Sequence, residues 1–132
     1  MTHASELYDD SYSSWGNYSP MISSFGRIVI EVSVNDYQGD TWVLYHDEDN
    51  RIGHLIFGWG SCSGCDALQG CNSIDEVEEL REQLERSIMW FSNPQEALDW
   101  FKSHDWKGDW GSYYSEQGEY VKESISYLEA NL

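Results

Sequence analysis

The chain has 132 residues, with 24 Asp and Glu against 7 Lys and Arg, and a formal net charge of -17 near neutral pH. Like-charge repulsion within a Debye length excludes direct binding to nucleic-acid phosphates or to an anionic membrane surface, and leaves basic surfaces and metal cations as natural partners. A hydrophobic content of 40% with 15% aromatic residues excludes an acidic disordered tail, and the length suits one domain with a modest core.

In chain order, residues 1–24 are rich in Ser and Tyr, lack a clear period, and read as an irregular N-terminal segment. The start, Met1-Thr2-His3-Ala4-Ser5-Glu6, has neither the basic residues nor the apolar stretch of a signal peptide, and no apolar run approaches the roughly 20 residues of a bilayer span. A cytoplasmic location is expected. Three cysteines, an odd number, also suit a reducing compartment better than a disulfide framework.

Residues 25–132 read as one α+β metal-binding domain. Ile28, Ile30, Val32 and Val34 alternate with Val29, Glu31, Ser33 and Asn35, the period of a strand with one buried face. A turn over 35–40 leads to a second β-favouring run at 41–45. His46-Asp47-Glu48-Asp49-Asn50 turns the chain into a third strand over 52–59, with Gly53 and Gly58 as weak points or bulges. Short connections predict a three-stranded antiparallel meander.

After a loop over 61–72 the period becomes helical. Ser73 with Glu76 forms a capping signal, and Val77, Leu80, Leu84 and Ile88 share one face, which predicts a helix over about 74–91. Asn93-Pro94-Gln95-Glu96 starts a second helix, to about Ser103, that would bury Ala97, Leu98, Trp100 and Phe101. An aromatic loop follows. Val121, Ser124, Ile125, Leu128 and Leu132 then predict a third helix. The expected fold is a three-stranded antiparallel sheet followed by three helices packed on one face.

Cys62-Ser63-Gly64-Cys65 is a C-x-x-C knuckle, and Cys71 follows just before the first predicted helix. Three thiolates at this spacing suit a tetrahedral ion, zinc above all, with Cys71 favoured as an anion by the helix start. His104 is the expected fourth ligand, because the second helix should return antiparallel to the first and bring its end back to the loop; His54, His46 and Asp66 remain open. A closed site of this kind is structural. Buried thiols that merely pack, and a redox dithiol, are the competing readings, although the chain lacks the βαβ pattern of a thioredoxin. His46-Asp47-Glu48 with the downstream cysteines also imitates a zinc-deaminase signature. Against that, Ser61 stands where the signature has Pro, and the H-x-E lies in a turn between strands.

Opposite the apolar stripe of the first helix lie Asp75, Glu78, Glu79, Glu82 and Glu85, with Arg81 and Arg86 giving partial neutralisation. This face is either ordinary solvated surface or a recognition surface for a basic partner. Trp106 and Trp110 are candidate anchors at such an interface, or else cover the edge of the core.

The stretch Phe57-Gly58-Trp59-Gly60-Ser61-Cys62-Ser63-Gly64-Cys65-Asp66-Ala67-Leu68, the acidic helix and the segment Trp100 to Trp106 together resemble small acidic proteins encoded by bacteriophages and prophages. Size, charge and metal ligands also resemble those of metal-containing anti-CRISPR proteins, which bind a type II CRISPR effector nuclease and keep it from loading target DNA. That resemblance implies a non-enzymatic inhibitor in the host cytoplasm, with structural zinc on Cys62, Cys65, Cys71 and His104. Asp75, Glu78, Glu79, Glu82, Glu85, Trp106 and Trp110 are then the candidate contacts. A zinc-dependent deaminase or hydrolase, and a small redox or metal-handling protein, are the alternatives.

Overall fold

A computed structural model of the chain describes residues 18–34, 39–60, 67–68, 70–71, 73–109 and 114–132. Strand β2 (Gly39–His46) lies between β1 (Ile28–Ser33) and β3 (Ile52–Trp59), and it is buried from Asp40 to His46. A strand buried on both faces requires that both faces of its sheet be covered. Alternate side chains accordingly enter two separate cores. Val43 and Tyr45 join Leu55 and Phe57 on one side, while Trp42 and Leu44 join Val32 and Ile52 on the other.

The sheet is antiparallel with strand order β1-β2-β3-β4, where β4 (Met89–Phe91) pairs with β3 through Ile52 to Phe91, Gly53 to Trp90 and His54 to Met89. Among the described residues four α-helices accompany it: α1 (Ser19–Ser23), α2 (Ile74–Arg86), α3 (Pro94–Ser103) and α4 (Ser115–Ala130), with a 3-10 turn at Trp106–Gly108. Met21, Ile22, Val77 and Leu80 place α1 and α2 on one face; Ala97, Leu98, Phe101, Tyr120 and Leu128 place α3 and α4 on the other. The expectation of three strands with three helices on one face is therefore corrected.

Two local causes account for the difference. The predicted helix over 74–91 ends at Arg86, where the Ser87 N–H bonds back to the Gln83 and Leu84 carbonyls and its hydroxyl donates to Gln83 O at 2.9 Å. The apolar run from Ile88 to Phe91 fits a helix stripe or a short strand equally, and the unpaired backbone edge of β3 selects the strand. Once β4 lies in the sheet, the chain leaves it on the far face. The second cause lies at the N-terminal side. Within the segment read as irregular, Pro20 opens α1, Tyr18, Met21 and Ile22 are buried, and Tyr45 Oη donates to Ile22 O at 2.7 Å. Full burial of Met21 and Ile22 contributes roughly 1.5–3 kcal/mol each before entropy is counted.

The capping signals operate as the spacing predicts. Ser73 Oγ accepts from Glu76 N at 3.2 Å, and Asn93 Oδ1 accepts from Glu96 N at 2.9 Å, each stabilising its helix by about 1 kcal/mol. No helix among the described residues is long and apolar enough to cross a membrane.

Candidate functional site

Helix α2 buries Val77 and Leu80 and directs the opposite side outward, so Asp75, Glu79, Glu82 and Glu85 are exposed and Glu78 is half-buried. Arg81 does little to neutralise this row. Its Nε donates to Ser24 Oγ at 3.1 Å, its guanidinium lies 5.2 Å from the centre of the Phe25 ring, and its contact with Glu85 is 3.7 Å long. The arginine thus fastens α2 to the end of α1. At about 100° per residue, Ile74, Glu78, Glu82 and Glu85 form one row. Ile74 heads that row and is 52% exposed, an apolar contact point at the end of a carboxylate surface.

Of the cysteine-loop residues, Cys62, Cys65 and Asp66 lie outside the described residues. Cys71 is half-buried against the core on the α1–α2 face, and its thiol donates to Ala67 O at 3.3 Å. Leu68, fully buried in that core, anchors this end of the loop by donating its N–H to Tyr18 Oη at 3.1 Å. His104 is elsewhere. It follows the last residue of α3, stacks on Trp100 at 4.2 Å and bonds through Nε2 to Asp109 Oδ2 at 2.7 Å. Because β4 sends α3 to the far face, the sheet separates His104 from Cys71, and the antiparallel return that would have joined them does not form. No group of three or more potential metal ligands occurs among the described residues.

The other two histidines among the described residues, His46 and His54, are engaged by the protein. His46 donates from Nε2 to Asn50 Oδ1 at 2.6 Å and accepts at Nδ1 from the Tyr127 hydroxyl at 2.5 Å, so both ring nitrogens of the H-x-E triplet are used. Asp47, the middle residue of that triplet, serves the hairpin. Burial raises its pKa, but hydrogen bonds from the backbone and side chain of Arg51, the Arg51 charge and the Asp49 N–H outweigh that and hold it below the usual range. Glu48 is exposed at the hairpin tip.

His54 is buried beneath α3 and α4. Tyr120 Oη donates to Val43 O at 3.1 Å, so at the 2.7 Å contact with His54 it is Nδ1–H that donates. Burial holds the His54 pKa down at about 4, with smaller opposing effects from the Asp109 carboxylate, which raises it, and from His104, which lowers it. Burial likewise pushes the Tyr120 hydroxyl well above its ordinary value. Trp106 is half-buried in the same cluster and donates its indole N–H to Phe101 O at 3.0 Å, so it is fixed as a wall of the core edge. Trp110 lies outside the described residues.

Sequence reasoning missed Tyr120 and Tyr45, whose hydroxyls tie α4 and α1 to the sheet, and Tyr18, whose hydroxyl ties Leu68 to the start of α1. For Tyr120 a signal existed: it stands four residues before Ser124 and eight before Leu128, on the same buried row of α4. Compared with known proteins, the chain matches no family model, no curated protein and no solved structure.

Proposed function

We propose that the protein acts by binding, and that the acidic face of α2 occupies the basic nucleic-acid groove of a partner, of which a type II CRISPR effector nuclease is the one the resemblance implies. The observation that carries this reading is the charge spacing on α2. From Asp75 to Glu85 the helix rises about 15 Å, so Asp75, Glu78, Glu79, Glu82 and Glu85 place one carboxylate per ~3 Å of axis. A nucleic-acid strand carries one phosphate charge per ~3.4 Å. A groove shaped for phosphates therefore meets a similar linear charge density, with Ile74 adding an apolar contact at one end.

The test is competition. Guide-loaded nuclease titrated with the protein should lose binding of labelled target DNA near equimolar ratio, and the effect should weaken as salt rises. Changing Glu78, Glu82 and Glu85 together to Lys should reduce affinity by roughly tenfold or more with unchanged circular dichroism. Undiminished DNA binding at excess protein excludes this partner, and unchanged affinity of the triple variant excludes this face.

Structural zinc on Cys62, Cys65 and Cys71 belongs to the same proposal, as a clamp between the loop and the start of α2. The sequence spacing of the thiols supports it, as does the anchoring of the loop's end through Leu68. Elemental analysis of the purified chain should find zinc in equimolar amount, lost in Cys62→Ser; a metal-free protein removes the clamp from the proposal.

A further inference from the structure

Strand β1 ends the sheet, with β2 as its only neighbour among the described residues. The Val34 N–H donates to Asp40 O at 3.1 Å, which sets the phase of the ladder. Backbone groups alternate in direction along an antiparallel pair, so Val32 and Val34 turn N–H and C=O to β2, and Glu31 and Ser33 turn theirs away from it. Among the described residues, no hydrogen bond reaches these outward groups of Glu31 and Ser33. Open edges invite a further strand, and proteins ordinarily blunt them with Lys, Pro or a covering element. The β1 sequence, Ile-Val-Ile-Glu-Val-Ser, has neither Lys nor Pro, and its register shift is confined to Ile28–Ile30.

Beside this edge runs a groove of about 680 Å³ whose other wall is α4. On the strand side Val29 and Ile30, both half-buried, supply apolar surface, and Glu31 is exposed. On the helix side Glu119, Lys122 and Glu123 are exposed and recur at the spacing of one helical row. Three carboxylates against one ammonium leave the groove acidic. None of the three belongs to an ion pair among the described residues. An edge strand flanked by a helix can hold an extended chain from two sides, by backbone hydrogen bonds from the strand and by side-chain contacts from the helix.

We propose that the edge of β1 receives an extended basic segment of a partner protein, which adds a further strand to the sheet between β1 and α4. Its backbone pairs with the outward N–H and C=O groups of Glu31 and Ser33. Its Arg or Lys side chains lay their hydrocarbon stems on Val29 and Ile30 and bring their charges to Glu31, Glu119 and Glu123. A second copy of this chain is the poorer occupant. Two β1 edges paired about Glu31 would set like carboxylates against each other, between chains that each carry a net charge of -17. Helix α4, which walls the groove, lies across the sheet from α2, so this surface is independent of the acidic face of α2.

Amide hydrogen exchange of the ¹⁵N-labelled full chain, titrated with an acetylated and amidated Arg-Val-Arg-Val-Arg peptide, tests the assignment. The Glu31 and Ser33 amides should gain saturable protection of roughly tenfold or more. The same peptide N-methylated at every residue keeps its charges and has no backbone donor, and it should bind at least roughly tenfold more weakly. A Glu-Val-Glu-Val-Glu peptide should give no protection. Glu31→Gln should weaken binding by removing one charge. Glu31→Pro should weaken it further, since proline lacks the outward N–H and is tolerated on an edge strand. If the proline variant misfolds, the methylated peptide still tests the backbone pairing on the unaltered chain. The assignment is overturned by the absence of saturable protection at these amides, by equal binding of the methylated or the acidic peptide, or by a folded Glu31→Pro protein that binds as tightly as Glu31→Gln. Protection of the same amides in a dimer without peptide would overturn it as well, by making a second copy the occupant.

Discussion

At His54 a polar side chain in a strand is buried as a neutral ring between Tyr120, Trp100, Phe101 and Trp106. Its inward direction is legible in the sequence, since it alternates with Ile52 and Ile56 on the same strand. Its surroundings are not, because the aromatic rings come from α3, the 3-10 turn and α4. The pH consequence follows from the lowered pKa. Between the ordinary value of 6.5 and about 4 the unfolded chain binds a proton that the folded chain refuses, so stability present above 6.5 is lost as pH falls through this window. The loss attributable to His54 approaches roughly 3 kcal/mol. Urea unfolding of the parent and of His54→Phe, which keeps a ring and removes the titration, isolates it from the carboxylates. The parent should lose stability relative to the variant from pH 6.5 down to 4, and parallel curves would show that the ring is not held neutral.

Among the elements, β4 has the largest consequences for its length. Gly53 of β3 faces Trp90 of β4, and a Cβ on Gly53 would lie 2.9 Å from the Trp90 ring and 3.0 Å from Ile88. Trp90 has little room to withdraw, with Tyr45 on one side and the Arg51 guanidinium 4.7 Å from its ring centre. The glycine read from the sequence as a weak point is therefore the position where β4 closes on the sheet. Gly53→Ala should destabilise the protein by about 1–3 kcal/mol through overpacking, measured as a lower urea midpoint; a neutral or stabilising change would mean that Trp90 does not press on this strand. Helix α3, by contrast, was legible to the residue. Asn93 as cap and Pro94 in the first turn are signals contained within four residues, and no distant contact competes with them.

For the molecule as a whole, a net charge of -17 opposes compaction, and the fold meets this by covering both faces of a thin antiparallel sheet. The carboxylates of α2 stay on the outside because its apolar stripe is used against α1 and the sheet. Composition, strand alternation, helix caps and the acidic row were determined by the sequence alone, since each depends on neighbours within a turn or two of the chain. Only the tertiary structure decided that residues 89–91 pair with β3, that α3 therefore lies across the sheet from α2, and that His104 is parted from Cys71. These outcomes turn on which backbone edge is open and which faces meet, between residues distant in sequence, and no local period encodes that choice.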